Sequence, residues 1–151
     1  MLLVTHYIYN IMIDSDKNKK KPDPKTISID ESWAILATKA GQKIISQICR
    51  LGRSLNTACI LISQNADDID KFSIANSIST RFAFRVQNMD EAIAVRNAFD
   101  MPDDIGIEST IMDDFDKGDC LMKDYNGQIS CVHIDGYDTH LTTAFNTNPF
   151  E

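Results

Sequence analysis

Two adjacent acidic residues, Asp30 and Glu31, come directly after a short strand-like segment, residues 26–29. A helical pattern and a more apolar second segment follow, and that segment ends in Ser63 and Gln64. In nucleotide-hydrolysing sites of this layout, the aspartate holds the magnesium shell and the glutamate polarises the attacking water. Because the carboxyl ends of parallel strands meet at one edge of a sheet, we expect Asp30, Glu31 and Gln64 to lie together there.

The elements that must position these residues are visible in the hydrophobic pattern. Residues 33–51 repeat apolar side chains at helical spacing, with an interruption at Gly41. Residues 58–62 are continuously apolar, which is typical of a strand buried on both faces. The strand–helix–strand order predicts a parallel pair joined by a right-handed crossover. Thr26 and Ser28 depart from the pattern, because a fully buried parallel strand is usually apolar throughout.

The next segment predicts a further strand and a helix. Residues 81–86 alternate, which predicts a strand with one face in the core. We expect Arg81 and Arg85 on the exposed face of this strand, at an edge of the sheet. Asn88 begins a capping-box pattern, so an amphipathic helix is predicted over residues 89–99.

The two ends of the chain differ in character. The apolar run 1–13 is too short to span a bilayer and predicts a buried helix. Because it starts in mid-pattern, we interpret the chain as a fragment of a longer protein. Asn126–Gly127 predicts a hairpin between two strand-like segments. We assign residues 1–136 to one domain and residues 137–151 to a polar C-terminal tail.

Composition narrows the classes of partner and site. The net charge of −7 argues against a broad surface that coats nucleic acid. The lysine-rich segment 14–21 is accordingly interpreted as a solvated loop. The cysteines show no metal-site spacing, so we predict buried free thiols in a reducing cytosol rather than a zinc site. They are Cys49, Cys59, Cys120 and Cys131.

The order of these pieces resembles the C-terminal half of the ATPases of conjugative type IV secretion systems. Those ATPases belong to the RecA-like superfamily that also contains the FtsK and HerA DNA pumps. The resemblance covers most of the chain and depends on the joint order of several modest motifs. They are Ile29-Asp30-Glu31-Ser32-Trp33, Leu51-Gly52-Arg53 with Asn56, Ile60-Leu61-Ile62-Ser63-Gln64-Asn65 with Asp68, Gly118-Asp119-Cys120-Leu121 through Asp124, Asn126-Gly127, and Val132-His133-Ile134-Asp135.

The resemblance implies an α/β fold and a set of site residues. The fold would be the C-terminal part of a RecA-like P-loop NTPase sheet, over residues 1–136. Its strands would be mainly parallel and flanked by helices, with an antiparallel hairpin at the end. Asp30 would belong to the magnesium shell and bind ATP, and Glu31 would orient the catalytic water. Gln64 would sense the γ-phosphate, and Arg53 would reach a neighbouring subunit's nucleotide as an arginine finger.

Each of these roles has a structural alternative. Asp30 and Glu31 also fit an ordinary acidic turn, and Gln64 also fits a cap on the following turn. Arg53 also fits a cation at a helix end, where positive charge suits the helix dipole. Trp33 is interpreted as a packing residue rather than a ligand-stacking one.

The phosphate-binding loop is the main departure from the family pattern. The chain contains no G-x-x-x-x-G-K-[ST], the loop that cradles phosphates with backbone amides and a lysine. We therefore expect ATP hydrolysis with magnesium only in an intact longer protein. The rival hypotheses are a DNA-translocating motor of the same superfamily and a catalytically inactive, truncated interaction module.

The resemblance also implies partners and a location. Family members form homo-oligomers, up to hexamers, and work with other secretion or conjugation components. They lie in the cytoplasm or peripherally at the inner face of the cell membrane. DNA contact would belong to the motor hypothesis, and the acidic net charge argues against it.

Overall fold

The computed structural model describes residues 7, 10, 23–52, 54–66, 77–103 and 106–136. Arg53, the lysine-rich segment 14–21, Asp68 and the tail 137–151 lie outside the described residues, as does the predicted helix 1–13 apart from Tyr7 and Asn10. The elements are β1 Lys25–Ile29, α1 Trp33–Leu36, α2 Lys39–Leu51, β2 Thr57–Leu61, β3 Arg81–Phe84, α3 Met89–Ala98, α4 Ile107–Ser109, a π-helical turn Thr110–Asp114, β4 Asp119–Lys123 and β5 Ile129–His133.

Strands β1 and β2 form the predicted parallel pair. Their register runs from Lys25 opposite Thr57 to Ile29 opposite Leu61. One face of the pair packs on α1 and α2, around three fully buried side chains, Leu36, Ile45 and Ile48. The apolar stripe of α2 therefore fixes which face of the pair is buried.

The other face of this pair is exposed. Ile60 is 49% exposed, and Thr26 and Ser28 lie on the same face because the register sets Ser28 opposite Ile60. The prediction that residues 58–62 are buried on both faces is therefore wrong for this structure. The two polar residues that departed from the apolar pattern of β1 are the ones that face outward.

The single helix predicted over residues 33–51 is two helices. Helix α1 ends at Leu36, and Thr38 caps the start of α2 by accepting a hydrogen bond from the Gly41 N–H at 3.1 Å. Gly41 thus lies in the first turn of α2 rather than at an interruption. A Cβ on Gly41 would stand 2.0 Å from the carbonyl oxygen of Ile35. The two helices approach so closely here that only glycine fits.

Strands β3, β4 and β5 form an antiparallel sheet in that order. The predicted hairpin joins β4 to β5, and Gly127 takes a positive φ of 82° in its turn. One face of the sheet packs on α3 and the π-helical turn. The buried side chains of this second core are Val95, Ala98, Phe99, Ile111, Phe115 and Leu121.

The two faces of β3 are reversed relative to the prediction, with the phenylalanines outward and Arg81 inward. Phe82 and Phe84 are 51% and 53% exposed, whereas the Arg81 side chain is only 14% exposed. Arg81 donates to the carbonyl oxygen of Ala98, the last residue of α3, and lies 3.5 Å from Asp100. The carbonyl oxygens and the partial negative charge at a helix C-terminus compensate the positive charge of an arginine side chain that points into the protein.

Arg85 is exposed as predicted, but it follows β3 rather than belonging to it. Its Nε donates to the carbonyl oxygen of Met112 in the π-helical turn at 3.0 Å. The predicted cap of α3 is confirmed, since Asn88 Oδ1 accepts from the Glu91 N–H at 2.9 Å. Helix α3 then runs from Met89 to Ala98.

The four cysteines are free thiols, as predicted, but they differ in burial. Only Cys120 is buried, Cys49 and Cys59 are partly buried, and Cys131 is exposed. The prediction of uniformly buried thiols is therefore wrong. A hydrogen bond with Cys59 lowers the pKa of Cys49 to about 7. The same bond raises the pKa of Cys59.

An exposed ion pair links the start of β4 to the end of β5. His133 Nδ1 lies 2.6 Å from Asp119 Oδ1. This contact raises the pKa of His133 and lowers that of Asp119, which also accepts from the Asp116 N–H. Because the pKa of His133 is higher in the folded than in the unfolded protein, the pair's stabilisation is fully present below the unfolded-state pKa of histidine and is lost as the pH rises through the folded-state pKa. Because the pKa of Asp119 is lower in the folded protein, the stabilisation is present above the unfolded-state pKa of aspartate and is lost as the pH falls through the folded-state pKa.

We therefore expect the pair to stabilise the fold most at about pH 5 to 6. The free energy of unfolding of His133→Gln should fall furthest below wild type in that window, and the difference should shrink as the pH rises through the raised pKa of His133. Urea denaturation of wild type and His133→Gln at a series of pH values measures this difference in the free energy of unfolding. Asp119→Asn, alone and with His133→Gln, completes a double-mutant cycle. A gap that is constant with pH would contradict the assignment.

Candidate functional site

The predicted site residues meet at the carboxyl ends of β1 and β2. Beyond the last strand pair, the Ile62 N–H donates to the Ile29 carbonyl at 2.9 Å. The Ser32 N–H then donates to the Ile62 carbonyl, also at 2.9 Å. These two bonds extend the parallel ladder past β1, so the turn through Asp30 and Glu31 stays attached to the end of β2.

Glu31 has an unusual backbone conformation in this turn. Its φ is +51°, in the left-handed region that non-glycine residues enter at a cost of about 1 to 2 kcal/mol. Its N–H donates to Asp30 Oδ1 at 2.9 Å. Strained backbone of this kind occurs preferentially at functional sites, where surrounding contacts hold it in place.

Both carboxylate oxygens of Glu31 accept a hydrogen bond from a side chain. Gln64 Nε2 donates to Oε1 at 2.5 Å, and Trp33 Nε1 donates to Oε2 at 2.5 Å. Gln64 comes from the segment after β2, so the first of these bonds crosses between the two strand ends. The expectation that Glu31 and Gln64 lie together at one edge is confirmed. Their roles in catalysis stay predictions.

Asp30 is exposed at the same edge, one residue before Glu31. Carboxylate oxygens are the ligands that Mg²⁺ prefers, and magnesium sites commonly use one or two carboxylates together with water and phosphate oxygens. The Asp30 carboxylate therefore fits a magnesium shell in the chemistry of its donor atoms. Arg53, the predicted arginine finger, lies outside the described residues, one position after Gly52 at the end of α2.

Sequence reasoning missed the part that Trp33 plays in the site. Trp33 was interpreted as a packing residue, yet it is 47% exposed and its indole N–H is bonded to Glu31. The available signal was its position two residues after a candidate glutamate, since an indole N–H needs an acceptor. Ser32 was also overlooked. It is fully buried, and within the described part of the chain its hydroxyl has no hydrogen-bond partner.

Comparison with known proteins connects this geometry to a family. The sequence profile of the AAA-like domain matches residues 1–145. The uncharacterized protein YddE of Bacillus subtilis (strain 168) is 32% identical over 114 residues, which are 75% of this chain and 13% of that protein. The chain therefore spans a small part of this curated relative.

A solved structure gives a corresponding result for the fold. VirB4 of Thermoanaerobacter pseudethanolicus superposes with a TM-score of 0.72 at 15% identity. The match covers 93% of this chain and 37% of the VirB4 chain. This likeness confirms the predicted α/β fold of the P-loop NTPase type and, at the level of fold, the resemblance to type IV secretion ATPases. None of the described helices is long and apolar enough to cross a membrane.

Proposed function

This chain belongs to the AAA-like domain family, and we propose that it carries the water-activating half of an ATPase site. The complete site would lie in a longer protein that hydrolyses ATP with magnesium. That protein would energise type IV secretion or conjugative DNA transfer. The sequence motifs and the VirB4-like fold support this choice of system.

One observation carries the proposal: the hydrogen bond from Gln64 to Glu31 across the ends of two neighbouring parallel strands. Ligands of α/β sheets bind outside the carboxyl ends of such strands. The bond brings a carboxylate and an amide side by side at that edge, next to the carboxylate of Asp30. A water-orienting group, a polar sensor and a magnesium ligand are what ATP hydrolysis requires of this half of a site.

In the proposed reaction, Glu31 accepts a hydrogen bond from the attacking water and orients it toward the γ-phosphate. Gln64 holds the Glu31 carboxylate and contacts the γ-phosphate through its amide. Asp30 binds the water molecules of the magnesium shell. Magnesium, when bound, neutralises the negative charge on the phosphate oxygens.

The phosphates also need backbone amides and a lysine, and the 151 residues contain no phosphate-loop motif. We propose that another segment of the longer protein supplies this loop. The covered shares of 13% of YddE and 37% of VirB4 are consistent with a chain that forms one part of such a protein.

The proposed assembly is a homo-oligomer, up to a hexamer, at the cytoplasmic face of the membrane, with other secretion components as partners. Arg53 would complete the site of the neighbouring subunit. A DNA-translocating motor is a less favoured alternative, because the net charge of −7 opposes phosphate-backbone binding. An inactive interaction module is the main second candidate, and the missing phosphate loop favours it.

Titration calorimetry with ATP and magnesium separates these candidates. We expect no tight binding by this chain alone, because the backbone amides and the lysine that hold the phosphates are missing. A longer protein that contains this chain together with a phosphate-binding loop should bind ATP. Its Asp30→Asn variant should lose the magnesium dependence of binding, while the matched variant Asp90→Asn, at an exposed aspartate on α3, should not. Failure of the longer protein to bind ATP would favour the interaction module.

A further inference from the structure

Trp33 is the only tryptophan in the chain, and it occupies the first position of α1. Its side chain is half-exposed, so the ring contributes little to the core. Its one polar atom, Nε1, donates to Glu31 Oε2 at 2.5 Å. A tryptophan placed for burial would hide its ring, whereas this one shows its ring to solvent and directs its N–H at a carboxylate.

The two donors on Glu31 act on different oxygens. Gln64 holds Oε1 and Trp33 holds Oε2. One hydrogen bond leaves a carboxylate free to rotate about the bond, whereas a donor on each oxygen fixes both its position and the orientation of its plane. An ionised carboxylate offers about four acceptor sites. Two remain for a water molecule after Gln64 and Trp33 are bound.

The backbone around Trp33 is well suited to hold the indole in place. The Ser32 N–H is bonded to Ile62 at the end of β2, and the Leu36 N–H is bonded back to the Ser32 carbonyl at 3.0 Å. The Ala37 N–H is bonded to the Trp33 carbonyl at 2.8 Å. The start of α1 is therefore tied both to the sheet and to its own first turn.

We propose that Trp33 is a positioning residue that sets the orientation of the Glu31 carboxylate for water activation. The inference rests on the proposed function, in which Glu31 orients the attacking water. In this role Trp33 acts through its hydrogen bond to Glu31 rather than by binding the nucleotide or the attacking water itself. Its contribution should consequently appear in the rate of the chemical step rather than in nucleotide binding.

The kinetic test uses the longer protein that contains this chain. Trp33→Phe keeps an aromatic ring and removes only the N–H donor. We expect kcat to fall about 10-fold to 100-fold, as for other residues that orient a catalytic group, with KM for ATP unchanged. In a Glu31→Gln background, the same substitution should cost much less, because the group it positions is already gone. Tyr125→Phe removes a hydroxyl from an exposed aromatic ring in the β4–β5 hairpin, and it should leave kcat unchanged.

A spectroscopic test uses this chain alone and does not depend on activity. Because Trp33 is the sole tryptophan, the tryptophan emission of this chain comes from the indole that is bonded to Glu31 and responds to changes in its surroundings. Glu31→Ala should shift the emission and increase quenching by acrylamide, since the indole loses its acceptor. Glu91→Gln, at a partly exposed glutamate on α3, should change neither quantity.

The two tests separate the inference from the function it rests on. Unchanged emission in Glu31→Ala would show that the indole is not held by Glu31, and it would overturn the inference. Active protein whose kcat is unaffected by Trp33→Phe would overturn it as well, while the ATPase proposal would stand. Shifted emission of this chain in Glu31→Ala, combined with a longer protein that hydrolyses no ATP, would instead locate the failure in the proposed function.

Discussion

Glu31→Gln is expected to lower magnesium-dependent ATP hydrolysis by the longer protein by about 100-fold to 10,000-fold, the usual contribution of a general base. Nucleotide binding should remain close to that of wild type, because the substitution keeps the size of the side chain and leaves Asp30 in place. The measurement is steady-state phosphate release, with ATP affinity determined separately by calorimetry.

The hydrogen bonds around Glu31 give a second reason to expect a lower rate of hydrolysis in Glu31→Gln. Both carboxylate oxygens accept from N–H groups, one from Gln64 and one from Trp33. A glutamine at this position has one oxygen and one NH₂ group. Its oxygen can still accept from Trp33, but its NH₂ can bond to Gln64 only if the Gln64 amide turns its own oxygen toward it. The variant therefore loses the negative charge, and it keeps both contacts only if Gln64 reorients.

Glu108→Gln is an informative contrast, since Glu108 is a buried glutamate bonded to Arg96 at 2.6 Å in a different part of the fold. That substitution should lower stability by breaking an ion pair and should leave the turnover of folded protein unchanged. ATP turnover by Glu31→Gln equal to that of wild type would exclude Glu31 as the water-orienting residue.

Gly41→Ala is expected to destabilise the fold by about 3 kcal/mol, at the upper end for an overpacked core site. The added Cβ would stand 2.0 Å from the Ile35 carbonyl oxygen and 2.9 Å from its carbon. Both atoms belong to the backbone of α1, so relief requires moving a whole helix rather than rotating a side chain. For a domain of ordinary stability, about 5 to 15 kcal/mol, this is a large fraction of the total.

Ala40→Gly is the matched control, because Ala40 is the exposed neighbour of Gly41 on the same helix. It should cost about 1 kcal/mol through helix propensity alone. Urea denaturation compares the two variants with wild type. If Gly41→Ala costs no more than Ala40→Gly, the close approach of α1 and α2 is not a constraint on the fold. If Gly41→Ala destabilises the fold more than Ala40→Gly does, the shift of α1 that relieves the clash should also displace Trp33, since α1 begins at that residue.

The sequence was informative wherever a local pattern decides the structure. The parallel pair, the Asn88 cap and the hairpin at Gly127 follow from hydrophobic runs, capping residues and turn chemistry, and all three are confirmed. The meeting of Glu31 with Gln64 was predictable because strand order alone brings both to one edge.

Features set by tertiary neighbours were not predictable from the sequence. The inward position of Arg81 depends on carbonyl groups at the end of α3 and on Asp100, which lies 19 residues further along the chain. The helix break at Thr38 needs the close approach of α1 to Gly41, which no periodicity reveals. The Trp33–Glu31 bond depends on the left-handed conformation of Glu31, a choice of backbone that glutamate does not signal.

The left-handed backbone at Glu31 places opposite demands on one position, because the residue that would make the fold most stable is not the residue that the proposed reaction needs. Glycine and asparagine adopt this conformation more readily than glutamate, so selection for stability alone would replace the residue that the proposed reaction needs. Stability-guided redesign of this domain would therefore remove its proposed activity first. Glutamate at this position is what a trade-off in favour of catalysis would leave in the sequence.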